Sequence, residues 1–170
     1  LVEAMDRLQL GLCAAVRAGV DWADIQRTAY RRIGELLCEA DVLRSGVDEA
    51  VDSGAVGVFF PHGIGHLLGL QVHDVGGRQR SRQGGEIPRP EGDPFLRLTR
   101  VLQDGFVVTM EPGLYFIESL LASARSNGLG RQINWSRVEA LAPFGGIRIE
   151  DNLALTPGGC ENLTRAAPGG

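Results

Sequence analysis

Residues 59–77 read FFPHGIGHLLGLQVHDVGG and hold all three histidines of the 170-residue chain, His62, His66 and His73. An apolar run, residues 56–60, leads into the stretch, and its bulky side chains predict a strand. The chain then turns at Pro61 and passes through Gly63, Gly65, Gly69, Gly76 and Gly77. Glycine lets a backbone adopt positive φ or lie close against another group. Histidines among such residues read as side chains presented from a shaped loop and strand. One histidine alone would be read as a satisfied core or surface residue; three in one short run point to a site.

Upstream, residues 2–18 read as a helix, with Val2, Met5, Leu8, Leu12 and Ala15 on one stripe. Gly19 suits the position just past its end. Asp21 suits the N-cap of a second helix, in which Trp22, Ile25, Ala29, Ile33, Leu36 and Ala40 recur at helical spacing. The short connection makes the two helices antiparallel neighbours. Residues 47–53 predict a further helical turn. Downstream, residues 76–99 show no periodicity and read as a long surface loop, a length uncommon in compact domains unless functional or mobile. Its Arg78, Arg80 and Arg82 are diluted by Glu86, Glu91 and Asp93, so a solvated loop is expected there.

Residues 101–103 and 106–110 flank Asp104-Gly105 and predict strands around a turn. A strand is expected to resume at 114–117 after Glu111-Pro112-Gly113. Residues 118–126 and 135–141 read as helices, and 147–150 and 153–156 as strands before a turn at Pro157-Gly158-Gly159. Helices early and mostly strands later make an α+β domain.

Composition excludes several chemistries. All 17 basic residues are arginine, so no lysine is present to form a Schiff base or a P-loop. The net charge of −4 is spread without like-charge runs and offers no footprint for nucleic acid or an anionic membrane. No run of about 18 apolar residues suggests a membrane span. The chain opens on Leu1 with no signal-peptide pattern. Cys13, Cys38 and Cys160 are far apart and odd in number, which suggests neither a disulfide framework nor a thiolate metal site. A cytoplasmic location is the expectation.

Two carboxylates join the histidines. Glu111 ends the run FVVTM and Glu150 ends IRI, each after residues of strand type. Such a group either sits at a strand end in water or, if buried, is protonated, paired or bound to a metal. Histidine with several carboxylates is a hard-leaning donor set that suits Mn²⁺ or Co²⁺, with Zn²⁺ also acceptable. Carboxylate-rich sites commonly hold two such ions, which activate water for hydrolysis.

HGIGHLLGLQVHD, TMEPGLYF and GGIRIEDN, in this order, resemble the pita-bread metallopeptidases: creatinase, methionine aminopeptidase, aminopeptidase P and prolidase. FFPHGIGHLLGLQVHDVGG, EPGLYFIESLL and INWSRVEALAPFGGIRIEDN resemble the bacterial Xaa-Pro dipeptidase branch with its organophosphorus acid anhydrolase relatives. The resemblance covers nearly the whole chain. It implies a partial pita-bread fold, a curved antiparallel sheet with helices on its outer face, and places residues 1–170 in the C-terminal part of the catalytic domain. It implies hydrolysis of Xaa-Pro dipeptides by a hydroxide bridging two divalent ions, most readily Mn²⁺.

By the same resemblance His66, Glu111 and Glu150 are metal ligands. Glu111 also shuttles a proton, and His73 steadies the tetrahedral intermediate. His62 and Arg148 line the pocket for the proline residue and its carboxylate. The implied partner is a small peptide, with neither nucleic acid nor membrane, and a homodimer is compatible with the full-length protein. The departure from the pattern lies upstream. The family takes two further aspartates from a strand hairpin, and no such hairpin is recognisable before Phe60; Leu1 is expected to fall shortly after it. Two alternatives stay open: a non-catalytic binding module of the same fold, and mononuclear hydrolysis with the three remaining ligands.

Overall fold

The computed structural model describes residues 1–166. Helix α1 (Val2–Ala15) buries Met5, Gln9, Leu12 and Cys13. Helix α2 (Trp22–Glu39) buries Trp22, Ile25, Gln26, Ala29, Ile33 and Leu37 among others, and packs against α1. Asp21 caps α2 as expected, its side chain accepting from the Ala23 N–H at 2.9 Å. The first helix stops at Ala15, three residues before its expected end, and Gly19 takes φ of 85° in the turn between the two.

Helix α3 (Val47–Asp52) follows, and then helix α4 (Ala55–Phe59) stands where a strand was expected over 56–60. A short apolar run does not by itself distinguish a strand from a buried helix. Here Gly54, at φ of 82°, starts a helical turn, and Ala55, Val56, Val58 and Phe59 are all buried. A Cβ on Gly34 would lie 3.3 Å from a Val56 methyl carbon, so α4 nests closely on α2.

The expected loop over 76–99 is more structured than its composition suggested. It holds a hairpin of strands β1 (Gln79–Ser81) and β2 (Gly84–Glu86), and its end sinks Leu96, Leu98 and Thr99 into the core. The three arginines of its first part do lie on the hairpin or just before it, and Arg78 pairs with Glu86. Residues 101–103 do not form one arm of a hairpin with 106–110. Val101 bridges to Asp21, and the Leu102 N–H donates to the Val20 carbonyl at 2.8 Å, so this stretch is consumed by the α1–α2 connection.

Strand β3 (Val107–Met110) is therefore free to pair elsewhere. Strand β4 (Gly113–Leu114) is shorter than the expected 114–117, because the Tyr115 N–H turns to the Phe59 carbonyl at 2.9 Å. Helices α5 (Glu118–Ser126) and α6 (Trp135–Leu141) fall on their expected residues. Strands β5 (Ile147–Arg148), β6 (Asp151–Thr156) and β7 (Gly159–Asn162) complete the sheet region.

The order β3-β6-β7 is antiparallel throughout, with Met110 opposite Asp151 and Thr156 opposite Gly159. The β4–β5 pair continues this ladder past a bend at Pro112 and Ile149. On the other side of β3 lies the histidine segment itself. The Glu111, Thr109 and Leu68 N–H groups donate to Ile64, His66 and Val107 carbonyls, each at 2.9 Å. Helix α1 covers the sheet at β3 and β7. The Gln9 amide reaches from α1 to the Met110 carbonyl at 2.8 Å, just before Glu111. The sheet thus delivers the histidine segment and the two carboxylate runs to one place.

Candidate metal centre

Gly65 decides how close the histidine segment can come to β3. A Cβ there would lie 2.1 Å from the Thr109 carbonyl oxygen, so only glycine permits this approach. The result is a dry contact that sets His66 beside Glu111, at 3% and 4% exposure. His66 Nε2 and Glu111 Oε1 are 3.4 Å apart. His66 Nδ1 lies 2.9 Å from the Leu67 carbonyl, an acceptor, so the ring proton sits on Nδ1 and the Nε2 lone pair faces Glu111. Burial holds the His66 imidazole below its usual range, which favours this neutral form.

Thr109 joins the two. Its hydroxyl donates to Glu111 Oε1 at 2.9 Å and accepts from the His66 backbone N–H at 3.0 Å. Sequence reasoning passed over this residue, although it lies two before Glu111 in a strand and so shares its face.

Glu150 arrives from the junction of β5 and β6. Its carboxylate, a Glu111 carboxylate oxygen and a His66 ring nitrogen all lie within 4.8 Å of one another. Arg148, two residues earlier, contacts both glutamates through the same Nη2 atom: Glu111 in a close ion pair and Glu150 at 3.4 Å. Two residues apart at the end of β5, Arg148 and Glu150 present their side chains to the same side. The next residue points inward. Asp151 is buried and held by Arg165 Nε at 2.8 Å and Asn162 Nδ2 at 3.0 Å. Burial alone would raise its carboxyl; these hydrogen bonds outweigh that and hold it low.

His73 stands on an exposed loop with its ring centroid 4.5 Å from that of His66, edge to face. His62 is half-buried. Its Nδ1 donates to the Gly63 carbonyl at 2.8 Å, leaving Nε2 to accept from the Tyr115 hydroxyl at 3.0 Å. Burial lowers its pKa as well, so both ring nitrogens are committed. Gln26, a polar residue on the buried stripe of α2, positions this loop. Its Oε1 accepts from the Ile64 N–H at 2.6 Å, and its Nε2 lies 3.4 Å from the His62 carbonyl.

His62, His66, His73, Glu111 and Arg148 line a cavity of about 680 Å³. A neutral imidazole nitrogen and two carboxylates converging at this range are a donor set that fits a hard or borderline divalent cation. Among the described residues no other group of three or more such donors converges. No helix of the described residues is long and apolar enough to cross a membrane.

Comparison with known proteins agrees with this geometry. The model of "Metallopeptidase family M24" matches residues 1–157. The chain is 52% identical over 165 residues to a Xaa-Pro dipeptidase of Xanthomonas oryzae pv. oryzae, covering 97% of this chain and 37% of that protein. It is 49% identical to the Xaa-Pro dipeptidase of Stenotrophomonas maltophilia, covering 98% and 38%. Among solved structures, Escherichia coli aminopeptidase P with the inhibitor Pro-Leu superposes with a TM-score of 0.67 at 28% identity, covering 98% of this chain and 31% of that one. The chain thus spans well under half the length of the relatives it matches.

Proposed function

The chain belongs to metallopeptidase family M24, and from that premise we propose that it is the C-terminal part of the catalytic domain of a metal-dependent hydrolase of Xaa-Pro dipeptides. One observation carries the reading: His66, Glu111 and Glu150 bring their donor atoms within 4.8 Å of one another, and two of them, His66 and Glu111, line a cavity. Those three residues would hold divalent metal, with Mn²⁺ the best match and Co²⁺ or Zn²⁺ acceptable. Bound there, metal supplies Lewis-acid polarisation and an activated water. The expected pair of aspartates completing a two-metal site belongs, in this reading, to the remainder of a longer protein.

The chain's own residues divide the other tasks. Glu111 takes and returns a proton at its carboxylate, which the Thr109 hydroxyl holds in place through Oε1. His73, exposed beside His66, supports the negative charge that develops on the carbonyl oxygen. Arg148 spends only Nη2 on the glutamates and keeps Nε and Nη1 for the free carboxylate of the proline residue. His62 lines the same pocket. The free thiols accord with a cytoplasmic setting.

The test uses the full-length protein. Hydrolysis of Ala-Pro should vanish on chelation and return with Mn²⁺. Arg148→Lys should lower kcat/KM on Ala-Pro by roughly ten- to a hundredfold, and far less on Ala-Pro amide, because an ammonium cannot reproduce the guanidinium fork. Hydrolysis that survives chelation, or equal losses on both substrates, would contradict the assignment.

A further inference from the structure

Glu150 has none of the buried support that holds His66 and Glu111. Its side chain is 42% exposed and pairs with Arg148 at 3.4 Å. An exposed pair of this kind is screened by water and does little to fix a side chain's direction. What aims Glu150 at its two neighbours must act through the backbone beside it.

That backbone is gripped from behind by residues 161–165, ENLTR, which end β7 and turn back along the start of β6. The Leu163 N–H donates to the Asn152 carbonyl, and the Asn152 N–H donates to the Thr164 hydroxyl, each at 2.8 Å. Arg165 Nε and Asn162 Nδ2 both donate to Asp151 Oδ2, and the Cys13 thiol of α1 lies 3.9 Å from the same oxygen. Arg165 Nη2 continues to Asp6 Oδ1 on α1 at 2.6 Å. Its backbone N–H donates to Asn162 Oδ1 at 3.1 Å, which closes the turn on itself. Both residues that follow Glu150 are therefore held, one by its side chain and one by its backbone.

Asp151 is 2% exposed, and a carboxylate that deep is tolerated only with a counter-charge and hydrogen bonds. Arg165 supplies the counter-charge. Neighbouring side chains of an extended chain point to opposite faces, so pinning Asp151 inward turns Glu150 the other way. We propose that Arg165 is a positioning residue: through Asp151 it fixes the backbone that aims Glu150 at His66 and Glu111, and residues 161–165 are the clasp that does so. The proposal rests on Glu150 as a metal ligand and deepens that reading, because it places the support of one ligand on the far side of the sheet.

Titration of Mn²⁺ into the metal-free full-length protein tests this without turnover. Arg165→Met should weaken Mn²⁺ binding roughly tenfold, the scale on which residues that orient metal ligands act. Arg165→Lys keeps the charge but not the fork, and should restore part of the loss. Because Arg165→Met strips a buried carboxylate of its counter-ion, Thr164→Val is the gentler companion. It keeps shape and the ion pair, removes only the acceptor of the Asn152 N–H, and should give a smaller fall in the same direction. A clasp that serves stability alone would lower the melting temperature of these variants and leave the Mn²⁺ affinity of the folded protein at the wild-type value. That result overturns the proposal.

Glu150→Gln, titrated alongside, keeps the two readings apart. Weakened Mn²⁺ binding in Glu150→Gln but in none of the clasp variants sinks the role of Arg165 and leaves the metal reading of Glu150 standing. If Glu150→Gln binds Mn²⁺ as tightly as wild type, the metal reading of Glu150 falls, and the crystal structure of metal-free Arg165→Met, or of Thr164→Val if that variant does not fold, decides the clasp. A displaced Glu150 carboxylate with His66 and Glu111 in place upholds it; an unmoved one overturns it.

Discussion

The side chains of His66 and Glu111 are 4% and 6% exposed, whereas those of Arg148 and Glu150 keep 44% and 42% of their surface in solvent. The first pair sits just past the end of β3 and on the segment docked against it, under backbone hydrogen bonds and the Thr109 hydroxyl. The second pair sits where β5 ends and β6 begins, its side chains joined by ion pairs, with His73 on its own exposed loop. Buried polar groups are costly unless fully partnered, so the first half must be built with the fold. Exposed ion pairs are screened and adjustable, so the second half can yield to a ligand without unfolding anything. The contrast assigns structural rigidity to one side of the cavity and access to the other.

The hardest blow to the buried half is Gly65→Ala in the full-length protein. With a Cβ 2.1 Å from a backbone oxygen, the histidine segment must lift off β3. The expected cost is about 1–3 kcal/mol of stability or more, together with loss of tight metal binding, read by denaturant unfolding and by metal titration. Unchanged stability and metal affinity would show that the docking contact is not what positions His66.

Thr109→Val is subtler, because shape is kept and only the hydroxyl goes. It leaves Glu111 Oε1 without that donor and the His66 N–H without that acceptor, worth about 1–3 kcal/mol in stability. Metal affinity should fall as well, since the ligand carboxylate loses the group that orients it. A variant as stable as wild type, with equal metal affinity, would erase the proposed difference between the halves.

Most of the helical layer could be read from sequence because its signals are local. Asp21 before Trp22 announced α2, and α5 and α6 kept their residues. Local signals failed wherever a distant partner decided the outcome. The residues 56–60 run is apolar on every side and folded as a helix under α2; residues 101–103 were taken by the α1–α2 connection; β7 carries no apolar pattern of its own. The site divided in the same way. Its chemistry-bearing residues stood out by type and came together, while Thr109 and Gln26 act through geometry. Of these, Gln26 left a trace, an amide four residues after Trp22 on an otherwise apolar stripe.

The smallest effect expected is in pH dependence. His66 and His62 are held below their ordinary value near 6.5, chiefly by burial of the neutral ring. Below that value the unfolded chain binds protons that the folded one refuses, so stability should fall as pH drops from about 7 through 6. Above it both states are neutral and the effect is absent. In metal-free protein the loss should be about 1.4 kcal/mol per group per pH unit at most, and His66→Gln should remove part of it. A flat profile between pH 7.5 and 5.5 would mean that these rings are not buried as neutral groups.

Anomalous diffraction from crystals of the full-length protein grown with Mn²⁺ shows whether His66, Glu111 and Glu150 form the metal centre. A manganese peak is expected within bonding distance of His66 Nε2 and of a carboxylate oxygen from both Glu111 and Glu150. Manganese bound elsewhere, with these three side chains making no contact to it, would mean that they are not the metal ligands.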